Sequence, residues 1–298
     1  MTLYISEAKA KNCLDFLPFG HNNSYVHLPK NSKFCIKYGK DNLIFETDYL
    51  GGRIFSKSKN QIQVFGDSQV LGLDVDKKKN HYLNDHIKSD FIIYAAPNNG
   101  PYEVIKFILL NKKSIKKKII INFNLSVDIF RVYEDWNIKN YVALKSDQLD
   151  EILKNPYKYK IIVTKSLLSN KFFTISRKNN KQMRELFMTR NENQLVDNLN
   201  LYLSKLEKIT KELKINYNLI LTKPYWLYEK KNGTIVKNKL IENHLKNILC
   251  KTFKNFNGSS KIFISKLKKH SEDILTLDNR HIRSDKIVLT NLDKYCSI

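Results

Sequence analysis

The segment VFGDSQVLGLDV, residues 64–75, brings an acid and a hydroxyl together directly after an apolar run. The run ends in Phe65 and Gly66, and Asp67 and Ser68 follow. Serine is a weak nucleophile unless a base takes its proton, and a histidine base needs an acid that fixes its tautomer. The segment therefore predicts a nucleophile at the edge of an α/β sheet, with a merely polar loop as the alternative.

An acid and a histidine lie close together near the end of the chain, where Asp278 precedes His281 by three residues. We therefore take Ser68, His281 and Asp278 as the candidate catalytic residues: nucleophile, general base and orienting acid. Each has a plainer alternative. Ser68 could cap the helix that follows it, His281 could lie on the surface, and Asp278 could occupy a turn.

Apolar runs alternate with helical patterns at intervals of roughly 25–40 residues, which is typical of a parallel sheet covered on both faces. The clearest amphipathic helix spans 193–214. We expect one α/β domain over 61–298, an extension with short strands over 1–60, and an insertion or cap at about 139–190. The predicted strands of the domain are IQVFGDS running into a turn, DFIIYAAP, KKIIINFNL, YNLILTKPYWLY and SKIFISKL, the last with a short helix as its alternative.

Further polar residues follow the predicted strands, at the edge where parallel strands of an open sheet form sites. Asn98, Asn99 and Gly100 follow the second strand, and Asn124 lies at the end of the third. An acyl-transfer site needs N–H donors for its oxyanion. These four residues, with Asp67, are the candidates for oxyanion or substrate contacts.

These motifs resemble those of the SGNH, or GDSL-type, hydrolase superfamily. GDSQVLG resembles the GDSxxxG block, DNRH at 278–281 the DxxH block, and AAPNNGPYEV and NLSVDIF the two blocks between them. FETDYLGGRIF resembles the segment that precedes the first strand in bacterial members. The resemblance covers about 41–138 and 215–290. It implies a three-layer α/β/α fold with a mostly parallel, flavodoxin-like central sheet.

The resemblance also implies roles for single residues. Ser68 would be the nucleophile and its N–H an oxyanion donor, with His281 as base oriented by Asp278. Asn98 aligns with a glycine whose N–H helps to bind the oxyanion, and Gly100 aligns with the second glycine of that block. The asparagine of the third block aligns with Val127, which cannot donate. Losing one such donor costs about 100- to 1,000-fold in rate, so Asn124, Asn98 or Asn99 would have to replace it.

The function predicted from these residues is acyl-ester chemistry through an acyl-serine. The acyl group, an acetyl group by preference, would lie on a glycan or a small ester, and hydrolysis is favoured over transfer. No cofactor is expected. The alternative is an SGNH-like scaffold with weak catalysis that binds a glycan or a protein partner, and its best support is Val127.

The formal charge is +23, from 52 basic and 29 acidic residues. Lysines dominate and are spread along the chain without the interleaved aromatic residues that stack on bases. We therefore interpret the excess as solvated surface and expect no nucleic-acid partner, although an anionic sugar would suit it.

The four cysteines, Cys13, Cys35, Cys250 and Cys296, show no metal-ligand spacing. We expect four unpaired thiols, no metal site and a reducing compartment. No run approaches the roughly 20 apolar residues of a membrane span, and the N-terminal residues lack the order of a signal peptide. These observations predict a cytoplasmic protein. His81 and His86 are expected on the surface.

Overall fold

The fold is described from a computed structural model of the chain. The described residues are 13–14, 17–21, 25–38, 40–55, 58, 60–75, 77–96, 99–132, 144–145, 180–231, 234–254, 256, 260–268, 274 and 281–297. Of the predicted insertion at 139–190, only 144–145 and 180–190 are among them. The remainder of that insertion, with Asn98 and Asp278, lies outside the described residues.

The described residues form fourteen strands in three sheets. The main sheet has nine strands, a second sheet has the order β2-β1-β9, and β11 pairs with β12. In chain order the strands are β1 (Gly20–His21), β2 (Val26–His27), β3 (Lys33–Tyr38), β4 (Asp41–Thr47), β5 (Arg53–Ile54), β6 (Ile62–Gly66), β7 (Phe91–Ala95), β8 (Lys118–Asn124), β9 (Leu144–Lys145), β10 (Asn216–Thr222), β11 (Tyr228–Lys231), β12 (Thr234–Lys237), β13 (Ile262–Leu267) and β14 (Ile287–Asn291).

The centre of the main sheet is parallel. Its order is β14-β13-β10-β8-β6-β7-β5-β4-β3, and the neighbours from β13 to β7 all pair in parallel. Numbered along the chain, these five strands have the spatial order 2-1-3-4-5. The order reverses between β6 and β8, and ligands of open α/β sheets bind outside the carboxyl ends of strands at such a switch point. The predicted α/β class with a mostly parallel central sheet is confirmed.

The strands at both edges of the main sheet are antiparallel. β14 pairs with β13 on one side, and β5, β4 and β3 extend the sheet from β7 on the other. The segment before residue 60, predicted as an extension, thus contributes three strands to the same sheet. Gly51 and Gly52 make the turn into β5, and Gly51 has a left-handed φ of 85°.

Seven α-helices lie in the described ranges. The helices are α1 (Ser68–Leu71), α2 (Pro101–Leu110), α3 (Asp128–Arg131), α4 (Asn180–Thr189), α5 (Glu192–Glu212), α6 (Lys239–Lys254) and α7 (Leu292–Cys296); short 3-10 turns span Lys78–Asn80, Tyr82–Asp85, Lys112–Ser114, Tyr225–Leu227 and Ser284–Lys286. α2 contacts α5, and α5 contacts α6. Each of these three helices buries one apolar stripe, as the period of its amphipathic sequence predicts.

One large apolar cluster runs through the molecule. Every residue of β7 is buried, and in β8 only the first residue is exposed. Continuous burial is what a parallel strand covered on both faces requires, and it explains why these strands appear as unbroken apolar runs. Trp226 is fully buried and packs on Phe187 of α4. Trp226 is therefore a packing residue of the core. No helix in the described part of the chain is long and apolar enough to cross a membrane.

The four cysteines form two disulfides, so the expectation of unpaired thiols is wrong. Cys13 pairs with Cys35 of β3, and Cys250 of α6 pairs with Cys296 of α7. The partners are 22 and 46 residues apart in the chain, and only the packing of β3 and of the two helices brings them together. Disulfides persist in oxidising compartments, so the cysteines no longer support a cytoplasmic location.

Candidate functional site

Ser68 lies directly after β6, as the first residue of α1. Asp67 is the N-cap: its backbone is extended, and its Oδ1 accepts a hydrogen bond from the Gln69 N–H at 2.9 Å. Asp67, and not Ser68, therefore caps the helix, which leaves the Ser68 hydroxyl available for another partner. Gly72 ends the helix in the left-handed conformation, with φ of 66°.

Two glycines make this turn sterically possible. A Cβ on Gly66 would lie 2.8 Å from Cγ1 of Val70 and 3.1 Å from Cβ of Asn122, so only glycine lets α1 approach β6 so closely. A Cβ on Gly72 would lie 2.8 Å from the His81 ring. The spacing of GDSQVLG is thus a steric requirement of the sharp strand-to-helix turn that presents Ser68.

The hydroxyl of Ser68 contacts a histidine from the far end of the chain. Ser68 Oγ lies 2.7 Å from His281 Nε2, although the two residues are 213 positions apart in sequence. In the neutral tautomer protonated on Nδ1, Nε2 accepts the serine hydrogen, which is the arrangement of a nucleophile and its general base. Both side chains are half-buried. Asp278, the third predicted member, lies outside the described residues.

A buried polar network holds the loop that carries Ser68. Asp67 Oδ2 accepts from the Asn124 amide at 2.8 Å, and Asp128 Oδ2 accepts from the Asn124 backbone N–H at 2.8 Å. Arg131 donates to Asp128 Oδ1 at 3.0 Å and lies 3.9 Å from Asp67 Oδ2. Arg131 also donates to the Asn99 carbonyl at 3.1 Å. The loops after β6, β7 and β8 are thereby joined.

Burial and neighbouring charges shift the pKa of one carboxyl group in this network. Burial raises the pKa of Asp128 above its usual range, the Arg131 guanidinium opposes that rise, and the Asp67 carboxylate adds to it. Two carboxylates thus share one guanidinium away from water, which makes the network sensitive to any added charge.

Three of the described candidates for oxyanion or substrate contacts donate to groups of the protein, and the fourth, Asp67, accepts from Gln69 and Asn124. The Asn99 amide bonds both the N–H and the carbonyl of Val26, at 2.9 and 2.8 Å. The Gly100 N–H donates to Glu103 Oε2 at 3.1 Å, at the start of α2. The Asn124 amide donates to Asp67. These donors stabilise the loops in this structure, and Asn98 lies outside the described residues.

Two side chains that the sequence analysis did not select join the His281 segment to α1 and to the turn that follows it. Gln69 bonds the backbone of Ile282 twice, and Asp74 accepts two hydrogen bonds from Ser284. Gln69 occupies a variable position of the GDSxxxG pattern, and Asp74 lies just beyond it. The sequence offers no signal for either role, because both depend on partners more than 200 positions away.

Arg53 is a third residue that was not selected. It is fully buried, and its guanidinium donates to the carbonyls of Leu71 at 2.8 Å, Gly72 at 2.6 Å and Val75. The guanidinium carbon also lies 3.9 Å from the centre of the Phe45 ring. Arg53 thus satisfies the carbonyls where α1 ends. An arginine within an apolar segment of a lysine-rich chain was the available signal.

His81 is buried, so its expected surface position is wrong. Its Nε2 donates to the Val70 carbonyl at 2.9 Å, and its Nδ1 accepts from the Leu83 N–H at 3.2 Å. Burial lowers the pKa of His81 to about 3, so the ring is neutral. His81 packs against Gly72 and holds α1 in place. His86, five residues later, is exposed as expected.

Among the described residues, no group of three or more His, Cys, Asp or Glu side chains fits a metal ion. The clearest chemical feature of the described residues is therefore the Ser68–His281 pair on its network of hydrogen bonds. Comparison of the chain with protein-family models, with curated proteins and with solved structures found no match.

Proposed function

We propose that the protein is a serine-dependent acyl-ester enzyme that works through an acyl-serine intermediate. The observation that carries this proposal is the 2.7 Å contact between Ser68 Oγ and His281 Nε2. Ser68 lies at a sharp turn after β6, at the switch point of the sheet. A hydroxyl and an imidazole that are 213 positions apart in sequence lie within hydrogen-bond distance there. This contact supports the proposal, because serine acyl transfer needs a base within reach of the hydroxyl proton.

The proposed reaction has two halves. His281 Nε2 takes the proton of Ser68 as Oγ bonds to the ester carbonyl carbon, and the carbonyl oxygen becomes an oxyanion. The oxyanion collapses, the bond to the leaving oxygen breaks, and the proton on His281 passes to that oxygen. In the second half, His281 takes a proton from water or from an acceptor hydroxyl as that oxygen bonds to the acyl carbon. The new oxyanion collapses, the bond to Ser68 Oγ breaks, and the proton on His281 passes to Ser68 Oγ. Asp278, by resemblance, would orient His281.

The oxyanion donor that agrees best with the geometry is the Ser68 N–H. It is the first N–H of α1, and the first N–H groups of a helix have no acceptor within their own helix. The other donors expected from the resemblance are engaged elsewhere or lie outside the described residues. A second donor would come from Asn98 or from rearrangement of the loop after β7.

The fold proposed with this function is the three-layer SGNH-like one. The 2-1-3-4-5 order of the parallel strands and the contacts of α5 with α2 and with α6 support it. The position of Ser68 after the first parallel strand supports it as well.

The proposed substrate is an acyl ester, acetyl by preference, on a glycan or a small molecule, with hydrolysis favoured over transfer. The net charge of +23 would favour an anionic sugar over a neutral one. The two disulfides favour an oxidising compartment. We therefore propose that the enzyme works there and that cytoplasmic action is the alternative.

One observation favours a second function. Because Asn99, Gly100 and Asn124 all donate to protein groups, oxyanion stabilisation rests on few donors. A protein with this defect would bind a glycan or a protein partner on an SGNH-like scaffold and catalyse weakly. This candidate predicts an unreactive Ser68.

A fluorophosphonate probe tests the two candidates. The purified protein is labelled, its intact mass is read, and the modified residue is located by peptide mapping. Ser68→Ala and His281→Ala are compared with Ser126→Ala, which removes a serine that is buried near the site. An acyl-ester enzyme gives one adduct on Ser68, slowed in His281→Ala and kept in Ser126→Ala. A folded wild-type protein without an adduct would reject the enzyme proposal in favour of the binding scaffold.

If labelling occurs, chromogenic acetyl and butyryl esters give the acyl preference. Release of acetate from acetylated neutral and anionic glycans, with and without an added sugar acceptor, then separates hydrolysis from transfer. A preference for the anionic glycan that disappears at high salt would support the role proposed for the charge.

A further inference from the structure

The segment that carries His281 is fastened to the segment that carries Ser68 by side chains outside the proposed triad. Gln69 follows Ser68 in the chain, and Ile282 follows His281. Gln69 Nε2 donates to the Ile282 carbonyl at 2.9 Å, and the Ile282 N–H donates to Gln69 Oε1 at 3.0 Å. Gln69 is 3% exposed, so water competes little for either bond.

A second attachment lies five residues further along the Ser68 segment and two residues further along the His281 segment. Asp74 Oδ2 accepts from the Ser284 N–H at 2.7 Å, and Asp74 Oδ1 accepts from the Ser284 hydroxyl at 3.2 Å. Ser284 is buried, and Asp74 is half-buried. We call the four hydrogen bonds that Gln69 and Asp74 make to Ile282 and Ser284 the latch.

Other hydrogen bonds hold the helix that carries Gln69. The backbone of α1 is held by Arg53 at its last carbonyls and by His81 at the Val70 carbonyl. Asp67 caps its first turn. Since Gln69 lies inside this helix, its amide has a set position, and the Ile282 backbone must align with it.

We propose that Gln69 and Asp74 are positioning residues that set the distance between His281 and Ser68. This inference deepens the proposed function and rests on it, because it names what aligns the base with the nucleophile. Neither side chain needs to touch a substrate. Each acts through the backbone of the His281 segment. The position of that backbone matters for catalysis, because a misplacement of about 1 Å in a reacting pair can cost on the order of 100-fold in rate.

The chemistry of glutamine suits the task. One amide supplies a donor for the Ile282 carbonyl and an acceptor for its N–H, which fixes both the position and the direction of the backbone. Gln69→Glu would keep the acceptor and turn the donor into a second acceptor that faces a carbonyl. Gln69→Met would keep the volume and lose both bonds. Asp74→Asn would keep an acceptor and weaken the second attachment.

The chain provides a matched control for these variants. Gln63, in the same strand that leads to Ser68, also bonds the backbone twice from a buried position. Its Nε2 donates to the Ser114 carbonyl at 3.0 Å, and its Oε1 accepts from the Lys116 N–H at 2.7 Å. It does so at the opposite end of β6. Gln63→Met therefore removes a similar pair of hydrogen bonds far from Ser68.

The experiment measures two quantities on each folded variant: the rate of fluorophosphonate labelling as a function of pH, and the titration of the His281 ring by NMR. We expect Gln69→Met to slow labelling by about 10- to 100-fold and to change the His281 titration midpoint. Gln69→Glu should do the same, and Asp74→Asn should have a smaller effect. Gln63→Met should leave both quantities at wild-type values while it lowers stability.

A double variant tests whether Gln69 acts through His281. In a His281→Ala background, Gln69→Met should slow labelling no further, because the group that it positions is gone. Wild-type labelling and a wild-type His281 titration in Gln69→Met would overturn the proposal. So would equal effects of Gln63→Met and Gln69→Met on the titration.

The two proposals fail in different ways. If the wild type is not labelled, the acyl-ester function is rejected, yet the NMR titration still reports the contact, because Ser68→Ala alters the surroundings of Nε2. A titration that responds to Ser68→Ala and to Gln69→Met would then uphold the latch without the enzyme. A labelled wild type with an unresponsive Gln69→Met would uphold the enzyme without the latch.

Discussion

The side-chain amide of Asn124 donates to the carboxylate of Asp67 at 2.8 Å and so joins the end of β8 to the residue before Ser68. The Oδ1 of the same asparagine accepts from the Ser126 N–H at 3.0 Å, in the loop after β8. Asn124 therefore joins the loop after β8, through its oxygen, to the loop that carries the nucleophile, through its nitrogen. A direct contact with an oxyanion would require it to leave Asp67.

Asn124→Asp should destabilise the protein. It replaces a donor to Asp67 with a carboxylate. Among the described residues, the network already holds the carboxyl groups of Asp67 and Asp128 against one cation, Arg131. We expect a loss of about 3 kcal/mol in the free energy of unfolding at pH 7, measured by urea titration. The loss should shrink at pH 5, because a raised pKa would leave the new carboxyl partly protonated.

The exposed Asn216 at the start of β10 provides the control, since Asn216→Asp should change the unfolding free energy by less than about 0.5 kcal/mol. Wild-type stability of Asn124→Asp together with slow labelling would contradict the structural role and make Asn124 an oxyanion donor.

Arg53→Met should destabilise the turn that presents Ser68. The variant removes the guanidinium donor of the Leu71, Gly72 and Val75 carbonyls, of which Gly72 keeps the Val75 N–H at 3.1 Å. An unsatisfied buried group costs about 1–3 kcal/mol. We expect a total loss of at least about 3 kcal/mol in the free energy of unfolding, read from denaturant curves, with slower fluorophosphonate labelling. Arg283→Met, which removes an exposed pair with Asp285, should cost under about 1 kcal/mol. Equal losses in the two variants would refute the role of Arg53.

His81→Gln should change how stability depends on pH. The pKa of His81 is about 3 in the folded protein, below its ordinary 6.5. Between these values the unfolded chain binds a proton that the folded protein does not, so stability falls as pH drops below 6.5. The slope is up to about 1.4 kcal/mol per pH unit. A glutamine can donate to the Val70 carbonyl and accept from the Leu83 N–H without titrating.

The measurement is a set of urea unfolding curves from pH 7 to pH 4.5. The wild type should lose about 3 kcal/mol more than His81→Gln over this range. His86→Gln removes an exposed ring and should keep most of the wild-type slope. If His81→Gln kept the full wild-type slope, a protonated His81 would have to be tolerated in the core.

Cys250→Ser with Cys296→Ser should destabilise the protein by opening a loop. The disulfide spans 46 residues, and the chain-entropy model gives about 4 kcal/mol for a loop of this length. Denaturant unfolding of the double variant and of the wild type, with and without dithiothreitol, measures the loss. Reduction should affect the wild type strongly. Four thiols that titrate freely in the unreduced wild type would contradict both disulfides.

Much of the fold could be predicted from local pattern. β6, β7, β8, β10 and β13 are each a short apolar run bounded by polar or turn residues, and such runs are what buried parallel strands require. α2, α5 and α6 show the 3.6-residue period of helices that bury one face. The segment HYLNDHI, residues 81–87, contains the 3-10 turn Tyr82–Asp85. The edge strands β3 to β5 were visible only as short candidates, since their place in the sheet depends on pairing with β7.

The surroundings of single polar residues were much less predictable. The residues before His81 in the sequence are polar, as is typical of a surface segment, yet Gly72, Phe91 and Tyr82 enclose its ring. The cysteines have no informative spacing, because their pairing follows the packing of distant elements. Asn124 was a candidate for contact with the oxyanion or the substrate. The adjacent strand β6 instead brings Asp67 close enough to accept a hydrogen bond from the Asn124 amide.

The sequence by itself determined the alternation of strands and helices, and the polar residues that follow each parallel strand. It did so because periodicity and the glycines of GDSQVLG are local properties of the chain. Only the tertiary structure decided that Ser68 meets His281, that Gln69 and Asp74 fasten the segment bearing that histidine, and that the four cysteines pair. Each of these relationships joins residues distant in the chain, and their geometry depends on how the sheet orders its strands.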